Sequence, residues 1–358
     1  MSAGFYTLKI ADVRREIDDA VSLALELPPE LEDAFRFSAG QHLTLRAEIG
    51  GEDVRRNYSL CVAPHEAELR IAIKHVNGGV FSSWANQQLA IGDYLEVMPP
   101  HGSFTWTFDD ARAAHYVGFA GGSGITPVLS ILKTALAAEP RSSFTLIYGN
   151  RASNSIMFLE ELASLKNRFM ARLQIYHFLE DEEEEVALFN GRLDSDKVSE
   201  LLETLVEPTS IDAAFICGPA PMMDAVERGL IGAGVEAERI LIERFTVGEI
   251  TAEQAARARA LEEKAAGLKV QVTLEGRKRT LVFAAEKGSI LENARAAGLP
   301  APFACKAGVC ATCRARLVSG KVEMKANYGL SADEVAQGYV LTCQAVPLTD
   351  DVILDYDA

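Results

Sequence analysis

The sequence predicts a three-domain protein: an antiparallel β-barrel, a doubly wound α/β domain, and a small α+β domain of β-grasp type. Three observations carry that expectation. Up to about Asp110, short alternating runs are separated by turn residues, as in a small closed barrel. From Tyr116 onward, continuous apolar strand patterns alternate with helical ones, as in a parallel sheet covered on both faces. Near the C-terminus, Cys305, Cys310 and Cys313 are spaced C-x4-C-x2-C and answered by a distant Cys343. The expected boundaries are 1–110, 111–247 and 269–358, with a linker at 248–268.

Length and composition agree. A chain of 358 residues is too long for one ordinary core, and 48% hydrophobic with 24% charged residues is a globular composition. The longest apolar runs, such as Val117 to Ala120 and Val128 to Leu132, are too short to span a bilayer. Met1 to Ile10 shows no charged segment followed by an apolar one, so the reducing cytoplasm is the expected compartment and disulfides are not expected. A net charge of −16 argues against nucleic acid as a partner. It suits either plain solubility or docking against a basic surface.

The barrel strands are expected at Phe5 to Ile10, Ala20 to Glu26, Gln41 to Ile49, Asn57 to Val62, Glu68 to His75 and Tyr94 to Pro99. Pro28-Pro29, Gly50-Gly51, Asn77-Gly78-Gly79 and Gly92-Asp93 supply the turns. In the second domain, Tyr116 to Ala120 runs into Gly121-Gly122-Ser123-Gly124-Ile125-Thr126-Pro127 and then a helix to Ala138. Strands follow at Phe144 to Tyr148, Leu173 to Leu179, Ala213 to Cys217 and Ile240 to Glu243. Helices are expected at Met157 to Asn167, Asp194 to Leu205 and Met222 to Ala233. The acidic run Glu180 to Glu185 reads as a solvated loop. Thr251 to Ala266, rich in Ala, Glu and Arg, shows no strong apolar face and reads as a partly helical linker. Beyond it, a hairpin turns at Gly276, a capping box at Ser289 and Glu292 starts a short helix, and Gly298 ends it. Strands at Arg314 to Val318 and Tyr339 to Leu341 flank the last cysteines.

The cysteine spacing is the plant-type arrangement for a [2Fe–2S] cluster. Gly308 and the small residues Ala304, Ala307 and Ala311 allow the loop backbone to turn N–H donors toward the sulfurs, and Thr312 adds a hydroxyl. A zinc site would show two short C-x2-C pairs or histidines, and no histidine lies nearby.

The segment Gly121 to Pro127 stands where a strand meets a helix, the place for a cradled pyrophosphate. Coenzyme choice should be written after the next parallel strand, where an acidic residue would hold a ribose 2′-hydroxyl and an arginine would accommodate a 2′-phosphate. The run Tyr148-Gly149-Asn150-Arg151-Ala152-Ser153 contains no acid, so Arg151 and Ser153 point to NADPH over NADH.

Arg56-Asn57-Tyr58-Ser59, the glycine segment, Cys217-Gly218-Pro219 and Glu243-Arg244-Phe245 together resemble the motifs of the ferredoxin–NADP reductase superfamily. Taken singly, several also fit ordinary strands and turns. The resemblance implies FAD in the barrel, with Arg56 on a flavin phosphate, Tyr58 against the ring and ribityl chain, and Ser59 donating to flavin N5. It implies that Gly79, Val80, Phe81 and Ser82, at a turn entering a helix, bind the pyrophosphate, with Ser82 giving the hydroxyl. Gly121, Gly122, Gly124 and Thr126 would approach the NAD(P) dinucleotide. Cys217 and Gly218 would lie beside the nicotinamide, Phe245 near the flavin face, and the Glu243 carboxylate in the active site. Ser59, Thr126, Cys217, Glu243 and Phe245 thus form the expected catalytic set, and Cys305, Cys310, Cys313 and Cys343 the metal ligands. This domain order is shared by several oxygenase reductases, which implies electron flow from NAD(P)H through FAD and the cluster to an oxygenase, a di-iron protein in the most similar members; a reductase of a Rieske dioxygenase or another di-iron hydroxylase, and a non-enzymatic redox sensor or assembly module, are the alternatives. A nicotinamide delivers two electrons as a hydride whereas the cluster accepts one, so something between them must hold two electrons and release them singly, which a flavin can do.

Overall fold

The computed structural model describes residues 4–245 and 252–358. Two compact units make up the chain: one carries the barrel and the parallel sheet, the other the C-terminal sheet.

The barrel uses six antiparallel strands: β1 (Tyr6–Ile17), β2 (Ala20–Glu26), β3 (His42–Ile49), β4 (Glu52–Ser59), β5 (Leu69–Lys74) and, after helix α1 (Val80–Gln88), β6 (Tyr94–Val97). Their order is β4-β3-β6-β1-β2-β5. A bridge between Leu60, just past β4, and Ile71 of β5 joins the first and last strands, so the sheet closes on itself and leaves no long open edge. Inward residues such as Leu8, Ile10, Leu23, Leu43, Leu45, Ile71 and Val97 form its core, lidded by Phe81 and Ala85 from α1. β1 runs seven residues beyond the Phe5 to Ile10 expectation. Bulges between Ile10 and Asp12, and between Arg15 and Ile17, let it follow β2 around the barrel although its polar far end breaks the alternation.

The second sheet is parallel, in the order β11-β10-β7-β8-β9. Its strands are β7 (His115–Gly121), β8 (Ser143–Asn150), β9 (Leu173–Leu179), β10 (Ala213–Cys217) and β11 (Ile240–Glu243). They alternate with α2 (Ile125–Ala138), α3 (Leu159–Arg168), α4 (Ser195–Thr204) and α5 (Ala220–Gly232). The continuous apolar runs are explained by burial on both faces: Val117, Phe119, Ala120, Phe215, Ile216 and Cys217 are fully buried. The strand order reverses between β7 and β10, which places a crevice at their carboxyl ends.

α2 also packs against the barrel. Ser130 Oγ donates to Val62 O at 2.6 Å, and Lys133 Nζ lies 2.6 Å from both Glu66 and Glu161. The Lys133 side chain is only 4% exposed. Burial alone would lower its pKa, but the two carboxylates outweigh this and hold it above the ordinary lysine value. A raised lysine pKa adds stability throughout the neutral range, lost only as the pH climbs through that pKa. Lys133→Met is therefore expected to lower unfolding free energy by about 2 kcal/mol, the partners being one-third exposed and partly rehydrated. Urea denaturation at pH 7 checks this, and a change under about 0.5 kcal/mol would mean that solvent screens the triad.

The C-terminal unit holds α6 (Ala252–Ala265), β12 (Lys269–Leu274), β13 (Arg277–Val282), α7 (Ile290–Ala296), β14 (Arg314–Ser319), β15 (Val322–Met324), α8 (Ala332–Ala336), β16 (Tyr339–Leu341), β17 (Ala345–Pro347) and β18 (Val352–Asp355). Its main sheet is mixed, β13-β12-β18-β14-β16, with β12 and β18 parallel and the other pairs antiparallel. Ser289 caps α7 by accepting from Glu292 N at 3.3 Å. The segment read as a linker is a regular helix from Ala252. Leu261 and Ala265, one turn apart, pack on the C-terminal core, and Glu262 pairs with Lys325 at 2.6 Å. One apolar turn backed by an ion pair seats it, a signal too small to stand out as a face in the sequence. Residues 248–251 of that segment, and 246–247 before it, lie outside the described residues. No described helix is long and apolar enough to cross a membrane.

Candidate flavin, coenzyme and iron–sulfur sites

The four cysteines are brought together by a loop and a strand end. Cys305 to Cys313 form an irregular loop after α7, and Cys343 follows β16, whose residue Leu341 pairs with Arg314 of β14. The loop carries left-handed backbone at Lys306 (φ 54°), Gly308 (φ 78°) and Ala311 (φ 53°). Two of these are not glycine, and such strain is held only where the surroundings demand it. The turns aim amides at sulfur: Ala307 N donates to Cys305 Sγ at 3.3 Å and Cys305 N to Cys310 Sγ at 3.5 Å. Gln344 Nε2 lies 3.6 Å from Cys343 Sγ.

The thiols form two pairs, Cys305 with Cys310 and Cys313 with Cys343. Among the described residues, no three Cys, His, Asp or Glu converge on one point as a single metal ion would require. Two pairs of thiolates suit a two-iron cluster. A hydrogen bond from Cys305, against the opposing effect of burial, and donors at Thr312 hold Cys310 down to about 4. The same bond and burial push Cys305 up. Cys343 is lowered by Cys313 and Gln344, and Cys313 is raised.

At the crevice of the parallel sheet, two glycine-bearing turns cross. A Cβ at Gly124 would fall inside contact distance of the Cys217 carbonyl and 2.8 Å from Gly218 N. One at Gly121 would lie 2.6 Å from Pro219, and one at Gly218 would lie 3.0 Å from Gly121 N. Bare backbone is thus required for the strand ends to meet, and it leaves the amides open to a pyrophosphate. Gly122 is anchored from behind, its carbonyl accepting from Tyr148 OH at 3.0 Å. Thr126 is 2% exposed and donates to Ser123 O at 3.0 Å, so its hydroxyl shapes the turn. Nearby, at the end of β8, both amide atoms of Asn150 are buried without a hydrogen-bond partner, although the residue is only 5% exposed. An orphaned amide at the carboxyl end of a parallel strand fits a polar ligand in the crevice.

Cys217 and Glu243 are register partners on β10 and β11. Burial, reinforced by Glu243, pushes the Cys217 thiol well above its ordinary value, so it stands as a neutral, compact side chain. Glu243 has company that the sequence did not announce. His42 Nδ1 lies 4.0 Å from its Oε1, and the His42 ring meets that of His101 edge-on at 4.3 Å. Phe245 is exposed. No local pattern marks His42 or His101. Only the bridge between these two residues and the sheet ends brings the pair here, with His42 beside a carboxylate from the far end of the domain.

On the barrel, Ser59 is buried at the end of β4, Tyr58 lies 5.6 Å ring to ring from Phe81, and Arg56 is exposed with Nη1 donating to Arg55 O at 2.7 Å. The Ser82 hydroxyl, read as a phosphate ligand, is engaged inside its turn. It accepts from Val76 N at 3.1 Å and donates to Gly79 O at 3.3 Å. Ser83 Oγ also donates to Gly79 O, at 2.7 Å. These bonds hold the turn so that the first amides of α1, at Val80 and Phe81, are left for an anion. A closed antiparallel barrel bearing such a turn, a glycine crevice at a strand-order switch and a two-pair thiolate loop define a pyridine-nucleotide, flavin and iron–sulfur electron carrier.

Comparison with known proteins agrees. Residues 7–106 match the oxidoreductase FAD-binding domain, 119–228 the oxidoreductase NAD-binding domain, and 272–348 the 2Fe-2S iron-sulfur cluster binding domain. The chain is 44% identical to one of the subunits of 1,2-phenylacetyl-CoA epoxidase from Escherichia coli K12, covering 99% of this chain and 98% of that one. It is 33% identical to the ferredoxin reductase component of 3-ketosteroid-9-alpha-monooxygenase from Rhodococcus rhodochrous, over 98% and 96%. Among solved structures it resembles phthalate dioxygenase reductase, with a TM-score of 0.60, 26% identity and 98% coverage of both chains. The chain belongs to the ferredoxin–NADP reductase-like oxidoreductases that join FAD-binding, NAD-binding and C-terminal [2Fe–2S] domains. It is an NAD(P)H-dependent electron-transfer reductase working through FAD and [2Fe–2S].

Proposed function

We propose that this chain is the reductase component of a multicomponent oxygenase, and specifically of a di-iron enzyme that epoxidises the ring of phenylacetyl-CoA. The observation that carries the specific reading is the 44% identity to the Escherichia coli epoxidase component along nearly the whole of both chains. The division of labour follows from chemistry. FAD, when bound, accepts two electrons as a hydride and releases them singly, which matches a nicotinamide donor to a one-electron cluster.

The chain's own residues have separable tasks in this reading. Arg56 and the amides at Gly79, Val80, Phe81 and Ser82 hold the flavin's phosphates. Tyr58 packs against the flavin, and Ser59 donates to its N5. Gly121, Gly122, Gly124, Thr126 and Gly218 bring the dinucleotide close to the backbone. Cys217, neutral and compact, fills the wall beside the nicotinamide. Glu243, with His42 behind it, holds or accepts a proton near the reacting ring, and Phe245 shields that ring. Arg151 and Ser153 receive the adenosine ribose with its 2′-phosphate. Cys305, Cys310, Cys313 and Cys343 ligate the cluster.

The test has two parts. The purified protein is expected to show flavin and [2Fe–2S] absorbance, one flavin to two irons and two acid-labile sulfides, with bleaching by NAD(P)H. Mixed with the oxygenase subunits of a phenylacetyl-CoA epoxidase, it is expected to support epoxide formation. Bleaching without turnover, alongside turnover with a ketosteroid hydroxylase or a Rieske dioxygenase, would keep the reductase and move it to another oxygenase. A colourless folded protein would end the whole reading.

A further inference from the structure

No acidic residue stands at the end of β8 in the sequence, and the fold supplies one from elsewhere. The acidic loop after β9 folds back over that strand end. Glu180 N donates to Asn150 O and Arg151 O, both at 3.1 Å, and Asp181 N donates to Arg151 O at 2.8 Å. The Glu180 carboxylate turns to Arg192, at 2.9 Å. The next carboxylate but one then lands on Ser153: Glu182 Oε1 accepts from Ser153 N at 2.8 Å and from Ser153 Oγ at 3.0 Å. Glu182 is half-buried while Arg151 beside it is exposed, and the orphaned Asn150 amide adjoins the same strand end.

A backbone amide, a hydroxyl and a guanidinium at the end of the second parallel strand are the donors that a ribose 2′-phosphate needs. Two of the three are already taken by an internal anion. NADPH can reach them only after Glu182 leaves, giving up two charge-assisted hydrogen bonds and placing its carboxylate near a dianion. NADH asks for less. A carboxylate at this place is the usual acceptor for a ribose 2′-hydroxyl, so Glu182 can stay.

Building on the reading of this unit as the NAD(P)H site, we infer that Glu182 is a specificity-determining residue for the coenzyme. It occupies the Ser153 donors and penalises the 2′-phosphate of NADPH relative to the 2′-hydroxyl of NADH, while Arg151 acts in the opposite sense. The acidic loop is therefore part of the coenzyme site and not merely a solvated connection.

The experiment uses the full-length holoprotein and follows flavin reduction by NADPH and by NADH. Glu182→Gln keeps the size and an acceptor but removes the charge. It is expected to raise kcat/KM for NADPH roughly tenfold, mainly through KM, while kcat/KM for NADH, whose 2′-hydroxyl loses a charged acceptor, does not rise. Arg151→Gln should shift the ratio the other way. As a readout independent of hydride transfer, inhibition by adenosine 2′-monophosphate should tighten roughly tenfold in Glu182→Gln, with adenosine 5′-monophosphate unchanged. An NADPH-to-NADH ratio and a 2′-monophosphate affinity both within about twofold of wild type would overturn the inference. Should wild type accept electrons from neither coenzyme, the functional reading fails first and this inference falls with it.

Discussion

Cys310→Ala is expected to abolish reduction of cytochrome c, by at least about a hundredfold, while NAD(P)H-dependent ferricyanide reduction stays within about twofold of wild type. In the proposed electron path, cytochrome c would take its electrons from the cluster, and ferricyanide from the flavin. Cys310 is one of the four proposed ligands, held low by Cys305 and by donors at Thr312, and its loss would remove one of the two ligands on its side of the site. The damage should stay local because the four thiols lie on the C-terminal mixed sheet, whereas the glycine crevice is built on the parallel one. Iron and sulfide analysis of the variant, set beside its flavin content, makes the comparison direct. Parallel loss of both activities with loss of flavin would show that the cluster supports the fold of the whole chain, and the proposed separation of tasks would not stand.

Gly124→Ala is expected to remove NAD(P)H-dependent flavin reduction almost entirely, at least about a hundredfold in kcat/KM, and to lower stability by about 3 kcal/mol. Its backbone angles (φ −62°, ψ −10°) suit any residue, so conformational freedom is not the reason. The reason is contact. The added methyl meets the Cys217 carbonyl and Gly218 N, which are backbone atoms that cannot rotate aside. To make room, the turn entering α2 must draw away from the end of β10, opening the crevice in which the dinucleotide would sit. Activity with dithionite as electron donor should survive, since that route bypasses the coenzyme. Wild-type NADPH kinetics in a folded Gly124→Ala protein would mean that the coenzyme does not use this crevice.

The features readable from sequence were those whose geometry is short-range. Cys305, Cys310 and Cys313 lie within nine positions, so their spacing already describes a loop around a compact group, and the structure adds the left-handed turns at Lys306, Gly308 and Ala311. Gly121 to Pro127 announced a strand-to-helix turn because apolar rhythm changes there from strand to helix, and β7 and α2 meet at that point. Ser82 shows the limit of that style of reading. A serine at a helix start is a phosphate ligand or a turn lock by the same local pattern, and in the structure its hydroxyl accepts from the Val76 amide inside the turn. Leu261 and Ala265 show another, since one apolar turn counts only if a core waits beneath it.

By itself, then, the sequence determined the three-domain order, and it singled out the three-cysteine loop proposed for the cluster and the glycine turn proposed for a dinucleotide, both written in residues that are neighbours along the chain. Tertiary structure alone decided what meets across distance: the thiol pairing that sets Cys343 against Cys313, His42 beside Glu243, and Glu182 on Ser153, 29 residues away. The physical reason is that residue spacing dictates geometry only while the backbone between two groups has few conformations. Beyond a turn or two, strand register and sheet order choose the neighbours, and no local pattern records that choice.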